Sequence, residues 1–244
     1  NNESSSPSSS PPKFEPCRPM RILEVGVGAT CRTILRGMYD DAFQNIDTGI
    51  EFIGIDLDIP NDDVVQKAKE KMVSATKELK SPVSMNTHEY EYSYDETKPL
   101  SFSIQSGDIT TGLPFPDGYF DAITSSLLLC SVEDQSNAIA EIKRLLNPNG
   151  GVYGFIEHVA VNRSYNNEKD LILLELSQEA FDPLQQLVAH NCHLHRNTDT
   201  MRKNIFGEDG VLIQEERYIV DDMWPVSCQS RGALQLKQQP QYVQ

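Results

Sequence analysis

The sequence predicts an α/β protein: a doubly wound, three-layer sandwich around a mostly parallel sheet. Three observations carry that expectation. Short apolar runs alternate with segments of helical periodicity from residue 21 onward. A glycine-rich turn joins the first run to the first helical segment. No internal repeat competes with this reading. At 244 residues the chain has room for one domain plus a tail.

Residues 1–13 carry six Ser and three Pro and almost nothing to bury, so they read as a disordered tail before a single domain over 14–244. Arg21 to Val25 is a buried strand closed by glycines. From Cys31, the apolar positions Ile34, Leu35, Met38, Ala42 and Phe43 keep one helical spacing. Glu51 to Asp56 is a second strand, and Val64 to Leu79 a charged amphipathic helix. Residues 81–99 are polar and tyrosine-bearing, an insertion loop or lid. Ser101 to Gln105 and Tyr119 to Ser125 are the third and fourth strands. Ser131, three residues before Asp134, reads as a helix N-cap; the helix then runs to the Asn147–Gly151 stop. Val152 to Glu157 is the fifth strand. Leu171 to Leu187 is helical, interrupted near Pro183, with its LILLEL start read as core or cap. Val211 to Tyr218 and Ala233 to Lys237 close the fold.

Composition narrows the function. Twenty-one basic against 36 acidic residues give a formal charge of −15. Phosphate backbones are bound by Lys and Arg, so a nucleic-acid partner is not expected. Five cysteines, an odd number with no CxxC pair, disfavour a disulfide scaffold or a zinc ribbon. His190, Cys192, His193 and His195 crowd together but match no closed zinc pattern, so no metal is expected there.

The chemistry-bearing segments lie where strands end. Glu24-Val-Gly26-Val-Gly28-Ala-Thr30 joins the first strand to a helix, where free amides face a ligand. A dinucleotide fingerprint would place glycine at position 31, which is Cys31. Glu24 would repel a pyrophosphate but suits a cationic ligand end, as S-adenosylmethionine has. Asp56 ends the second strand, where an acid accepts ribose hydroxyls; Asp58 is a nearby substitute. Asp108 ends the third strand within reach of an adenine amino group, or simply closes a turn. At the acceptor side, Cys130 and Ser131 follow the fourth strand. His158, the preferred proton acceptor, follows Glu157 at the end of the fifth.

The order of LEVGVGAT, FIGID, SGDITTGLPFPDGYFDAITSSLLLCSVED and EIKRLLNPNGGVYGFIEHV resembles class I S-adenosylmethionine-dependent methyltransferases. LLLCSVEDQ, GFIEHVA and NCHLHRNT are similar to the methyltransferase-like alkyl-thiol methyltransferases, with a type 11 methyltransferase domain. Quinone-biosynthesis C-methyltransferases come next. The resemblance implies a seven-stranded sheet whose last strand is antiparallel. It implies methyl transfer to a small-molecule acceptor, a thiol in the favoured reading. It assigns Glu24, Gly26 and Gly28 to the methionine end, Asp56 and Leu57 to the ribose side, Asp108 and Ile109 to the adenine, and the Ser125 carbonyl to the amino group. It sets Cys192 and His193 in a loop over the acceptor pocket. Thr30 stands where the family has a third glycine. The resemblance also brings an N-terminal membrane anchor into question, and a monomer is expected. A quinone-type C- or O-methyltransferase, an NAD(P)-dependent oxidoreductase and a non-catalytic binding protein are the competing readings. Tyr165 and Lys169 have the YxxxK spacing of short-chain dehydrogenases, but the partner-serine position is Val152.

Overall fold

The computed structural model describes residues 18–46, 48–77, 100–161 and 171–238. The N-terminal tail, the 81–99 insertion and the Tyr165–Lys169 pair lie outside the described residues.

Seven strands form one sheet: β1 Met20–Val25, β2 Ile50–Asp56, β3 Leu100–Ser106, β4 Ala122–Ser126, β5 Val152–His158, β6 Gly210–Ile219 and β7 Cys228–Leu236. Their order is β3-β2-β1-β4-β5-β7-β6. The first five strands pair in parallel; β7 runs antiparallel to both β5 and β6, as expected for the last strand. The chain leaves β1 in one direction across the sheet and returns to β4 on its other side. A crevice opens beyond the carboxyl ends of β1 and β4 at this reversal, which is where open α/β sheets hold ligands.

Alternating side chains of β1 divide the core. Ile22 points to one face with Phe52, Ile34, Phe43, Ala68 and Met72. Leu23 and Val25 point to the other, against Ile123, Ala138, Ile139, Ile142 and Leu145. Helix α3, Asp62–Lys77, covers the first face and α4, Gln135–Leu145, the second.

The helical reading changes at five points. The segment after Cys31 is two short helices, α1 Arg32–Leu35 and α2 Asp40–Gln44, because Gly37 takes φ +72° between them. Ser131 is not the cap of α4; Asp134 is, its carboxylate accepting from the Asn137 amide at 2.9 Å. Helix α5, Ile172–Val188, runs through Pro183 without interruption. Proline removes the bond to the carbonyl four residues back, and that residue, Glu179, is exposed to water. Helix α6, Thr198–Phe206, has no counterpart in the sequence reading. The LILLEL start of α5 is not core either: Leu174 is buried, but Leu173 is 73% and Leu176 53% exposed. No helix of the described residues is long and apolar enough to cross a membrane.

Candidate functional site

A cavity of about 310 Å³ occupies the crevice. The β1–α1 loop lines it with Gly26, Val27, Gly28 and Thr30, and α1 adds Arg32 and Thr33. Asp56 closes it from β2. The end of β4 and the turn after it contribute Ser126, Leu127, Leu128 and Ser131, and His190 follows α5.

The loop needs its glycines. Gly26 has φ +80° and Gly28 φ +66°, conformations that cost other residues strain. A Cβ on Gly26 would lie 2.9 Å from Leu128 Cδ1, so the loop and the β4 turn touch there. A Cβ on Gly28 would meet nothing within 4 Å: that backbone faces open space. The Gly28 amide donates to Asp56 Oδ2 at 2.8 Å, and Asp56 Oδ1 accepts from the Asp58 amide at 3.4 Å. Asp56 therefore ties the loop to β2 at the cavity wall.

Glu24 stands behind that wall, 1% exposed. Its Oε1 accepts from Thr33 Oγ1, and Thr33 itself lines the cavity. Its Oε2 makes no hydrogen bond of normal geometry among the described residues, although the Tyr39 hydroxyl, bonded to Thr124 Oγ1 at 2.6 Å, lies close enough to favour its charge. Burial raises the Glu24 pKa to about 7, against the hydrogen bonds that favour its charge. A buried carboxylate oxygen short of donors is costly unless a ligand supplies one.

The other cofactor-side residues are placed differently. Asp108 Oδ1 accepts from the amide and hydroxyl of Thr110, at 2.8 and 2.7 Å, which is the turn-closing role weighed for it. Ile109 is buried in the core. Leu57 is 67% exposed. Ser125 is buried with its hydroxyl between Tyr153 and Glu157, which leaves the expected role of its carbonyl untouched, and the next residue, Ser126, lines the cavity.

Of the acceptor-side residues, Ser131 lines the cavity; Cys130, His158 and His193 do not. The four-residue Cys/His crowd also splits. His190 reaches the cavity, while His193 and His195 approach Asp182 with Nδ1–O distances of 3.6 and 3.3 Å. Cys192 turns inward to Cys130 and His158. The Cys192 thiol is held well below its usual range by hydrogen bonding with Cys130 and by the His158 ring. The same bond and burial push Cys130 upward.

Sequence reasoning missed the Glu157 role. This fully buried carboxylate accepts from Ser125 Oγ at 3.0 Å and from the Leu128 and Leu129 amides at 3.3 and 3.1 Å. It holds the turn that lines the cavity, where Leu127 takes φ +54°. Burial still raises its pKa against these donors. Glu157→Ala leaves three donors without their acceptor, so it lowers the unfolding free energy by about 2–3 kcal/mol, read from urea denaturation. A loss below about 0.5 kcal/mol, the range of ordinary surface changes, would show that the turn stands without it.

Comparison with known proteins agrees with this architecture. Residues 36–154 match the sequence family described as a methyltransferase domain. A human thiol S-methyltransferase is 35% identical over 82 residues, 34% of this chain and 30% of that protein. A ubiquinone/menaquinone biosynthesis C-methyltransferase from Vibrio vulnificus is 36% identical over 83 residues, 34% of this chain and 25% of that protein. The chain thus aligns with under a third of the length of these curated relatives. Among solved structures, a SAM-dependent methyltransferase from Methanosarcina mazei superposes with TM-score 0.54 at 14% identity, covering 91% of this chain and 95% of that one. The [4+2]-cyclase SpnF superposes with TM-score 0.52 at 14% identity, covering 91% and 76%. Residues 36–154, just under half of the chain, are thus similar to a methyltransferase domain, and the fold is one that solved methyltransferases share. The cyclase shares that fold under another name, so the reaction is argued from the site.

Proposed function

We propose that this chain transfers a methyl group from S-adenosylmethionine to a small-molecule acceptor, a thiol. The observation that carries the reading is the buried Glu24 carboxylate, joined through Thr33 to a cavity that Asp56 also lines. The donor set fits the cofactor. Glu24, behind Thr33, would take the ammonium; the Gly26–Gly28 backbone would lie along the methionine end; Asp56 would accept from the ribose hydroxyls. A pyrophosphate would meet two carboxylates at the same places, which disfavours a nicotinamide dinucleotide. Bound S-adenosylmethionine supplies an electrophilic methyl on a sulfonium.

The protein's part is alignment. Well-placed reactants can supply about 7–11 kcal/mol of the barrier. Leu127 and Leu128 give the acceptor an apolar wall and Ser131 a polar one. The thiol assignment is supported by the likeness to the human thiol S-methyltransferase; the Vibrio relative makes a quinol the second candidate. Methyl transfer from labelled S-adenosylmethionine to alkyl thiols, compared with demethylated quinols, separates them. Turnover of quinols alone would overturn the thiol assignment.

Glu24 makes the binding pH-dependent. Its folded pKa, about 7, lies above the ordinary carboxyl value of 4.5. In the ligand-free chain its stabilising contribution is complete below the ordinary value and fades as pH rises through about 7. A bound ammonium selects the ionised form, so binding expels a proton on the acid side. Affinity for S-adenosylhomocysteine therefore rises with pH, by up to about tenfold per unit, and levels above the Glu24 pKa. Glu24→Gln flattens the profile and weakens binding about ten- to a hundredfold, the worth of one hydrogen bond to a charged group. Calorimetry in buffers of different ionisation enthalpy counts the proton; a flat profile in the unsubstituted chain would remove Glu24 from the site.

A further inference from the structure

The strongest unassigned cluster joins three distant segments. Cys130 lies in the turn after β4, His158 ends β5, and Cys192 follows α5. All three are buried. One ligand atom from each lies within 4.8 Å of the others. We propose that Cys130, His158 and Cys192 form a zinc site.

Two of the three ligand separations are close to the edges of a tetrahedral site. With Zn–S near 2.3 Å and Zn–N near 2.0–2.1 Å, a tetrahedron has S···S edges of about 3.8 Å and S···N edges of about 3.6 Å. The Cys130 and Cys192 Sγ atoms stand 3.7 Å apart. Cys192 Sγ is 3.7 Å from His158 Nδ1 and 3.4 Å from Nε2. The other ring nitrogen is engaged: His158 Nε2–H donates to the His193 carbonyl at 2.9 Å. In the neutral ring that bond leaves Nδ1 unprotonated, the arrangement metal-bound histidines use. A Cys130–Cys192 disulfide would instead need the sulfurs at about 2.05 Å and gives His158 no part.

Two thiolates and an imidazole select zinc over hard cations. Three protein ligands leave one tetrahedral position. Ser131 is beside it, its Oγ 3.5 Å from Cys130 Sγ, and Ser131 also lines the cavity. The ion would pin the β4 turn and the 189–196 loop, already joined by the His193 amide donating to the Cys130 carbonyl at 2.8 Å. The site is independent of the methyl-transfer reading, since metal content is read without cofactor.

The test is elemental analysis of the full chain purified under reducing conditions, with cobalt(II) exchange. The expected result is one zinc per chain and a thiolate-to-cobalt charge-transfer band. Cys192→Ser and His158→Ala lose both signals, and Cys228→Ala, in a separate cluster with Val159 and Leu174, keeps them. If the variants fail to fold, a chromophoric chelator titrated into the unsubstituted chain reads affinity, and thiol alkylation should release the metal. Zinc only in trace amounts, a Cys130–Cys192 disulfide found by mass spectrometry, or cobalt bound equally by Cys192→Ser would overturn the site.

Discussion

Asp56→Ala lowers the affinity for S-adenosylhomocysteine by on the order of 10²–10⁴-fold. Two hydrogen bonds from ribose hydroxyls to a carboxylate are each worth about 1.5–3 kcal/mol, and about 1.4 kcal/mol is tenfold. The loss has a second source. Asp56 Oδ2 holds the Gly28 amide at 2.8 Å, so the substitution also releases the loop that borders the cavity. Asp58→Ala is the control. Asp58 is exposed, does not line the cavity, and touches Asp56 only through its backbone amide. Its affinity should stay near that of the unsubstituted chain. Titration calorimetry on both variants decides the matter; equal losses would mean that the field of the acidic rim, not the Asp56 position, binds the ligand.

Arg202→Ala is the most destabilising single change expected outside the cavity. The Arg202 side chain is fully buried. Its guanidinium lies over the Phe155 ring, 3.4 Å from the centroid, and Nη2 donates to Glu215 Oε1 at 3.0 Å. Nε and Nη1 have no hydrogen-bond partner among the described residues. Burying such a charge is worthwhile only while its carboxylate is present. Truncation breaks the pair and opens a space against Phe155, at a cost of about 3–5 kcal/mol. For a chain of this size that is a fall in Tm of roughly 10 °C. Lys203 also meets Glu215, so the carboxylate keeps one partner. Arg202→Met, which keeps the volume without the charge, should recover much of the loss. Thermal unfolding checks both variants; a shift of only about 1–2 °C for Arg202→Ala would show that the pair adds little.

The fold was legible because local signals and topology agreed. Each parallel strand is a short apolar run, and both faces of β1 are buried, which is why LEV reads so clearly. Element ends were less legible. Gly37 could as easily sit within a helix as break one, and its φ of +72° is a tertiary outcome. Helix α6 was missed because its buried members include Thr198, Asp199 and Arg202, polar residues that hide the apolar period.

The candidate site divides the same way. Gly26, Gly28 and Asp56 were readable because the motif and the cavity coincide at strand ends. Ser126, Leu127 and Leu128 were not, since Leu127 reaches the cavity through a left-handed turn that no pattern in SSLLLC announces. The Cys/His crowd misled by proximity in sequence. Cys192 meets Cys130 and His158, 62 and 34 residues away, and only the sheet order brings those strand ends together.

We propose that the crevice beyond β1 and β4 binds the S-adenosyl group. Calorimetric titration of the chain with S-adenosylhomocysteine, and separately with NADH, tests it most directly. Saturable binding of S-adenosylhomocysteine, with proton release below pH about 7, and no binding of NADH are expected. NADH binding in place of S-adenosylhomocysteine, or binding of neither, would contradict it.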